Sequence, residues 1–324
     1  MPVLAHYTGK RILVTGGAGY LGSNLVAMLR RVDCHIVRLD RHFSDNSEAG
    51  GAAQIVDIVG DVRERAVWER AAAGVDVIFH FAAQTSTYEA DGDPPTDFEF
   101  NVMPMLHALE AFRRHGWKPV IAFSSTVTIA GIPERLPVDE THPDRPLTAY
   151  DLHKQMAEQY LKWYIGRGTV RGTILRLANV FGPGPKSSRS DRGILNQMIR
   201  NAAAGKPLTV YRPGDRLRDY VFVEDVVLAF LEAVRRIDAV NGRHFVIGSG
   251  RGHTLSEAMR TVAERAEVKL GRQVEIRFVD PPTPQSPIEN RQFVADPRRF
   301  NEATGWTPRR TFVEGVDRTL EAFS

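Results

Sequence analysis

Arg11-Ile12-Leu13-Val14-Thr15-Gly16-Gly17-Ala18-Gly19-Tyr20-Leu21-Gly22 joins a short apolar run to three glycines, Gly16, Gly19 and Gly22, spaced three residues apart. Ser23-Asn24-Leu25-Val26-Ala27-Met28-Leu29-Arg30-Arg31 follows, with its apolar positions at helical spacing. The reading is strand, tight turn, helix. Such a turn gathers backbone N–H groups and a helix N-terminus at one point, which suits a diphosphate. Gly16 permits the tight turn, Gly19 lets the backbone approach a pyrophosphate, and Gly22 lets helix and strand pack closely. A glycine triplet alone is a weak signal, but here the preceding strand, the following helix and a downstream acid agree.

That acid is Asp40. It ends a second apolar run, His35-Ile36-Val37-Arg38-Leu39, at about the 20-residue distance that dinucleotide sites show. A carboxylate there accepts hydrogen bonds from the adenosine ribose and repels the extra phosphate of NADP, so it favours NAD. Arg41 beside it argues the other way, because a guanidinium pairs with that phosphate. A solvated Asp-Arg turn is the plain alternative.

Composition sets bounds. The 324 residues suffice for one large domain or two smaller ones. A hydrophobic content of 43%, a charged content of 25% and a net charge of +3 are those of an ordinary globular protein and call for neither nucleic acid nor an anionic membrane. The single cysteine, Cys34, excludes an internal disulfide framework and fits a reducing compartment. No apolar run is long enough to span a bilayer, the first ten residues lack a signal-peptide core, and no pattern asks for a metal. The expected place is the cytoplasm.

Strand-like runs at 12–15, 35–39, 54–58, 76–81, 119–124 and 172–177 alternate with helical patterns at 22–30, 63–72, 97–115 and 148–166. This alternation predicts an α/β fold: a Rossmann-type doubly wound parallel sheet over residues 1–180. After Gly182-Pro183-Gly184-Pro185 the texture changes. Residues 181–324 are expected to form a smaller, irregular mixed α/β lobe for substrate, with segments interleaved with the first domain. The lobe should close over the crevice beyond the strand C-termini, where strand order reverses.

Tyr150-Asp151-Leu152-His153-Lys154 places a tyrosine and a lysine on one helix face. A free tyrosine, with a pKa of about 10, is a poor base at neutral pH. A nearby ammonium and a cationic nicotinamide both favour its phenolate. Oxidation of a hydroxyl to a ketone needs such a base, because Tyr150 takes the proton while hydride leaves the carbon. Val120-Ile121-Ala122-Phe123-Ser124-Ser125-Thr126-Val127-Thr128 precedes this pair. Its hydroxyls end a central strand beside the expected cofactor ring, and Thr126 can hold the substrate oxygen. Ser124 and Ser125 read equally well as a turn that satisfies its own backbone.

Taken together, these residues resemble the extended short-chain dehydrogenase/reductases, specifically the nucleotide-sugar epimerases and dehydratases. The glycine turn is similar to the family's Thr-Gly-x-x-Gly-x-x-Gly. Gly60-Asp61-Val62 is similar to its adenine-contacting pair, and His80-Phe81-Ala82-Ala83 to its His-x-Ala-Ala strand end under the cofactor. Asn101 opens the next family helix. Arg176-Leu177-Ala178-Asn179-Val180-Phe181-Gly182-Pro183, Arg218-Asp219-Tyr220-Val221-Phe222-Val223-Glu224-Asp225-Val226 and Gly305-Trp306-Thr307-Pro308 resemble three further signatures. The resemblance implies NAD contacts at Gly16, Gly19, Tyr20, Leu21, Gly22, Asp40, Arg41, Asp61, Val62, Phe81, Ala82, Ala83, Asn101, Ser124, Tyr150 and Lys154. It implies catalysis by Thr126, Tyr150 and Lys154, and substrate contacts at Thr85, Thr126, Asn179, Arg218 and Arg291.

Dehydratases of the family carry Asp-Glu where this chain has Val127-Thr128, so the resemblance points away from dehydration. Thr126-Val127-Thr128 is closer to the Ser-Ala-Thr of UDP-galactose 4-epimerases. Ala130 replaces a customary tyrosine, and Ser286 stands where a diphosphate-binding arginine is usual, with Arg291 as its candidate replacement. The implied activity is NAD-dependent epimerisation of a nucleoside-diphosphate sugar at C4, through a 4-keto sugar. An NADPH-dependent 4-ketosugar reductase is the alternative within the fold, with Arg41 as its support. A non-catalytic dinucleotide sensor commonly loses the tyrosine or lysine, and this chain keeps both. The resemblance also implies a homodimer built on helices near 99–115 and 148–166, with contacts drawn from Met103, Leu106, Leu109, Phe112, Leu161, Trp163 and Ile165, although helix periodicity alone would bury several of these in the monomer.

Overall fold

Twelve strands are found among the residues that the computed structural model describes, 2–43, 50–185, 193–281 and 287–324. They are β1 (Arg11–Thr15), β2 (His35–Asp40), β3 (Gln54–Val59), β4 (Val77–His80), β5 (Val120–Thr126), β6 (Arg171–Leu177), β7 (Asn179–Phe181), β8 (Leu208–Tyr211), β9 (Leu217–Phe222), β10 (His244–Ile247), β11 (Gly252–Thr254) and β12 (Ile276–Val279). Seven of them form one sheet in the order β10-β6-β5-β4-β1-β2-β3, with every pair parallel. The order reverses between β1 and β4, so the crevice opens beyond Thr15 and His80.

The sheet is covered on both faces, which explains its continuous apolar strands. Along β1, Ile12 and Val14 face one layer and Leu13 the other. The first layer holds Leu25 and Leu29 of the helix Tyr20–Leu29 and Phe230 of the helix Val223–Arg235. The second holds Trp68, Phe112 and Leu161, from the helices Arg65–Ala71, Met103–His115 and Ala149–Gly166. Edge strand β3 escapes this cover, and its Val56 and Val59 are exposed.

A third core joins the helices Ile194–Ala203, Leu255–Leu270 and Phe312–Phe323 to β7–β9–β11 and β8–β12. Phe181, Phe222 and Phe312 meet at its centre. Two of these helices begin with capping boxes, Thr254 with Glu257 and Thr311 with Glu314.

Two expectations need correction. The helix expected over 97–115 is two helices, Pro94–Asn101 and Met103–His115, parted at Val102. Pro104 is the cause, because it has no N–H to continue the first helix and is tolerated only in the first turn of the second. The tail is also less irregular than expected, since β10 and Val223–Arg235 complete the parallel sheet and its first layer.

Candidate active site

The glycine turn has the geometry that its spacing predicts. Gly16 has φ +66°, and a Cβ there would stand 2.9 Å from the Ala82 nitrogen; one on Gly22 would stand 2.1 Å from the Gly16 oxygen. The chain's own packing therefore demands both glycines. Gly19 differs, because its φ of −75° is ordinary and a Cβ would meet only Gly16 atoms, the nearest at 3.1 Å. Gly19 caps the helix without a side-chain bond. The N–H groups of Tyr20, Leu21 and Gly22 accordingly have no acceptor among the described residues. Three unfilled donors at a positive helix end fit a diphosphate.

Asp40 closes this turn from β2. Its Oδ2 accepts the Ala18 N–H at 3.0 Å and its Oδ1 the Arg41 N–H at 2.8 Å. The Arg41 side chain is turned onto the Phe100 ring at 5.4 Å, and Arg63 lies over the same ring at 4.1 Å. Asp61 accepts the Arg63 backbone N–H at 2.9 Å and its guanidinium at 2.8 Å. Burial raises the Asp61 pKa, but the bonds and charge of Arg63 outweigh it and hold this carboxyl below its ordinary value. Val62 is buried, and its carbonyl accepts the Trp68 indole N–H at 2.7 Å.

Beyond β4, Thr15 Oγ1 accepts the Phe81 and Ala82 N–H groups, both at 3.2 Å, and so donates its proton to His80 Nδ1 at 2.7 Å. Burial first, and the Lys154 charge second, push His80 down to about 3, so its ring is neutral. Phe81, Ala82 and Ala83 are half-buried at this strand end, and Thr85 is exposed. Asn101 Nδ2 donates to the Gln84 carbonyl at 3.0 Å and to Asp97 Oδ1 at 2.9 Å, and His153 Nδ1 meets Asp97 Oδ2 at 2.7 Å. Asn101 Oδ1 is buried without a hydrogen-bond partner, a second unfilled group that a ligand donor would satisfy.

Thr148 caps the helix Ala149–Gly166 in a capping box with Asp151. Tyr150 and Lys154 are both buried in its first two turns. The Lys154 ammonium sits 4.2 Å from the centre of the Phe123 ring, whose plane His80 also stacks on. Burial brings Lys154 down to about 7, although Glu158 and Asp97 favour its charge. One turn on, Glu158 accepts Ser125 Oγ at 2.5 Å and Arg176 at 2.7 Å, and Arg176 also grips Asp144. This buried cluster fastens the helix to β5 and β6. Ser124 is half-buried on β5. Thr126 Oγ1 lies 2.8 Å from Thr128 Oγ1, which donates to Asp151.

The other three substrate candidates, Asn179, Arg218 and Arg291, lie on the smaller sheet and the segment beside it. Asn179 starts β7 and stands opposite Tyr220 of β9. Arg218, on β9, donates to the carbonyls of Leu217 at 3.1 Å, Glu289 at 3.0 Å and Arg291. A guanidinium has five N–H groups, so Nε and one Nη2 proton stay available. A surface pairing of Arg218 with Asp219 or Glu224 is not what forms. Asp219 instead accepts from Ser249, Gly250 and Ala295, and Glu224 pairs with Arg310 and Arg318. Arg291 is buried and adjoins Arg218 through its carbonyl. Ser286 lies outside the described residues, and Ala130 is buried in the short helix Val127–Ala130.

Sequence reasoning missed Asp151, Glu158 and the Asp97–His153 pair. Helical spacing from Lys154 pointed to Glu158. Nothing local announced Asp97, which reaches its histidine from another helix.

The sequence pattern of the NAD dependent epimerase/dehydratase family matches residues 12–248. The UDP-glucose 4-epimerase of Mycolicibacterium smegmatis is 31% identical over 97% of this chain and 98% of its own. The fold is also that of the Thermus thermophilus UDP-glucose 4-epimerase solved with NAD, at 30% identity and TM-score 0.82, and of the Thermotoga maritima UDP-glucose 4-epimerase solved with UDP-glucose, at 28% and 0.85. Each structural match covers 97% of this chain and 98% of the other. With the glycine turn, its unfilled donors and the Tyr150–Lys154 helix in place, the chain belongs to the NAD dependent epimerase/dehydratase family.

Proposed function

We propose that the protein epimerises a nucleoside-diphosphate sugar at C4 through a transient 4-keto sugar. The observation that carries this reading is the buried Tyr150–Lys154 pair on a helix packed against β5, with Lys154 over Phe123, in the same fold as a glycine turn with unfilled N–H donors. Bound NAD supplies reversible two-electron oxidation. Gly16, Gly19, Tyr20, Leu21 and Gly22 would hold its diphosphate. Asp40 would hold the adenosine ribose, with Arg41, Asp61 and Val62 around the adenine. Phe81, Ala82, Ala83, Asn101 and Ser124 would line the rest.

Tyr150 takes the C4 hydroxyl proton when C4 is oxidised and returns it to the same oxygen when C4 is reduced from its other face. Lys154 is cationic while the tyrosine is a phenolate, and its buried charge is worth more there than in water. Thr126 contacts the reacting oxygen. Asn179, Arg218 and Arg291 would hold the nucleotide end and Thr85 would also contact the substrate, so the keto sugar turns while its anchor stays fixed. The buried cysteine and a cytoplasmic setting agree, and no helix among the described residues is long and apolar enough to cross a membrane.

A homodimer completes the proposal. Of the apolar residues considered for its interface, Leu109, Phe112 and Leu161 are buried in the monomer core and are withdrawn. Trp163 is 52% exposed, and Met103, Leu106 and Ile165 are half-buried, so these remain.

The test is a screen of UDP-, CDP-, GDP- and dTDP-linked hexoses, each followed by separation of C4 epimers. Conversion of one sugar into its C4 epimer without added cofactor supports the reading. Conversion only of 4-keto sugars, with consumption of NADPH, would replace it by the reductase.

A further inference from the structure

Tyr20 opens the helix whose N-terminus carries the unfilled donors of the glycine turn. Its hydroxyl donates to the Gly182 carbonyl at 3.0 Å. One turn further along the helix, Asn24 Nδ2 donates to the Tyr20 carbonyl at 2.9 Å and to the Pro183 carbonyl at 3.1 Å. Gly184 has φ +151°, and a Cβ on it would stand 2.7 Å from the Tyr20 ring. Only glycine there lets the turn Gly182-Pro183-Gly184 lie this close to the helix.

The same turn is held from its other side. The Asn196 side chain accepts the Gly182 N–H at 2.9 Å and also hydrogen-bonds the Tyr20 hydroxyl. Arg200 donates to the Gly184 carbonyl. Both residues belong to the helix Ile194–Ala203 of the third core. The turn is thus built into the smaller lobe, and the Gly182 and Pro183 carbonyls fasten it to the start of the diphosphate helix. Donor and acceptor in these two bonds both belong to the protein. Parting them costs the same whether a cofactor is entering or leaving.

We propose that this turn is a gate on the dinucleotide site, with the side chains of Tyr20 and Asn24 as its clasp. A diphosphate held by the Tyr20 N–H passes the clasp on its way in and on its way out. Passage needs the opened state, and the clasp sets how often that state forms. The clasp therefore slows entry and exit by the same factor and leaves the equilibrium affinity unaltered. The gate does not depend on which sugar is bound. Its use rests on the epimerase reading above, because an epimerase keeps one nicotinamide from the removal of the hydride to its return.

Tyr20→Phe tests this, because it keeps the backbone N–H and the ring against Gly184 and removes only the hydroxyl. Protein loaded with radiolabelled NAD is chased with excess unlabelled NAD, which gives the exit rate. Equilibrium dialysis of the same label gives the affinity. Exit from Tyr20→Phe is expected to be about tenfold faster than from the parent, the equivalent of one hydrogen bond of ~1.4 kcal/mol, with the affinity unchanged. Asn24→Ala removes the Pro183 bond and no side chain assigned to the cofactor, and it should behave alike. A parental exit rate in either folded variant overturns the proposal. So does an exit that quickens while the affinity weakens by the same factor, because that is a lost contact with the cofactor and not a gate. Both measurements use NAD alone, so they decide the gate even if no nucleotide sugar is epimerised and the functional reading fails.

Discussion

Replacing Lys154 with methionine should make the protein more stable while disabling it. Lys154 is 3% exposed, lies over the Phe123 ring and has no hydrogen bond to any described residue. Burial lowers its pKa from 10.5 to about 7, a drop equivalent to roughly 5 kcal/mol at 1.36 kcal/mol per pKa unit. The sign follows from proton counting. Below pH 7 the amine is charged in both states, and folding bears the full cost of burying an ammonium. Between the folded value of about 7 and the unfolded 10.5, the unfolded chain holds a proton that the folded chain does not, so the parent's stability rises with pH. The variant lacks this rise. Its advantage should be largest at pH 6–7 and should shrink by about 2–4 kcal/mol on going to pH 10. Urea unfolding of both proteins, followed by fluorescence of the four tryptophans, measures it. A variant no more stable than the parent at pH 7, or an advantage that does not change with pH, would refute the buried-cation argument. Turnover of Lys154→Met should be close to background throughout.

Four further outcomes are expected. Tyr150→Phe should bind NAD normally, yet turn over about 10²–10⁴-fold more slowly; near-parental turnover would remove Tyr150 as the base. Calorimetry should show NAD preferred over NADP, with Asp40→Ala narrowing the ratio by relieving charge repulsion; a parent that prefers NADP would promote the reductase. Arg218→Ala should weaken both the nucleotide sugar and the free nucleoside diphosphate by about 2–5 kcal/mol, leave NAD affinity unchanged, and lower Tm because the Glu289 and Arg291 carbonyls lose their donor. Light scattering at micromolar concentration should give twice the 36.2 kDa chain mass, falling to one chain in Trp163→Glu; a parent that is already monomeric would refute the interface.

The sequence made some parts of this protein legible and not others, for physical reasons. The glycine turn and Asp40 were readable because backbone conformation and strand ends leave local marks. Tyr150 and Lys154 were readable because helical spacing puts them on one face. Pro104 carried the break in the 97–115 pattern, but apolar periodicity masked it. Strand β10 was hidden because four residues, His244–Ile247, have too little length to declare a period. Asp151 was hidden in another way: the stretch after Thr126 holds no carboxylate, and only the fold brings one to Thr128 from the next helix. Arg218 was readable through the family pattern as a substrate contact, but not that its partners are main-chain carbonyls.

The central claim is reversible oxidation and reduction at one sugar carbon within one site. A nucleoside-diphosphate hexose carrying deuterium at C4 tests it most directly, with the product analysed by NMR and mass spectrometry. The account predicts an inverted C4 that retains its deuterium, with no label in water or in added cofactor. Deuterium lost to solvent, or carried away on exchangeable NADPH or NADH, would contradict it.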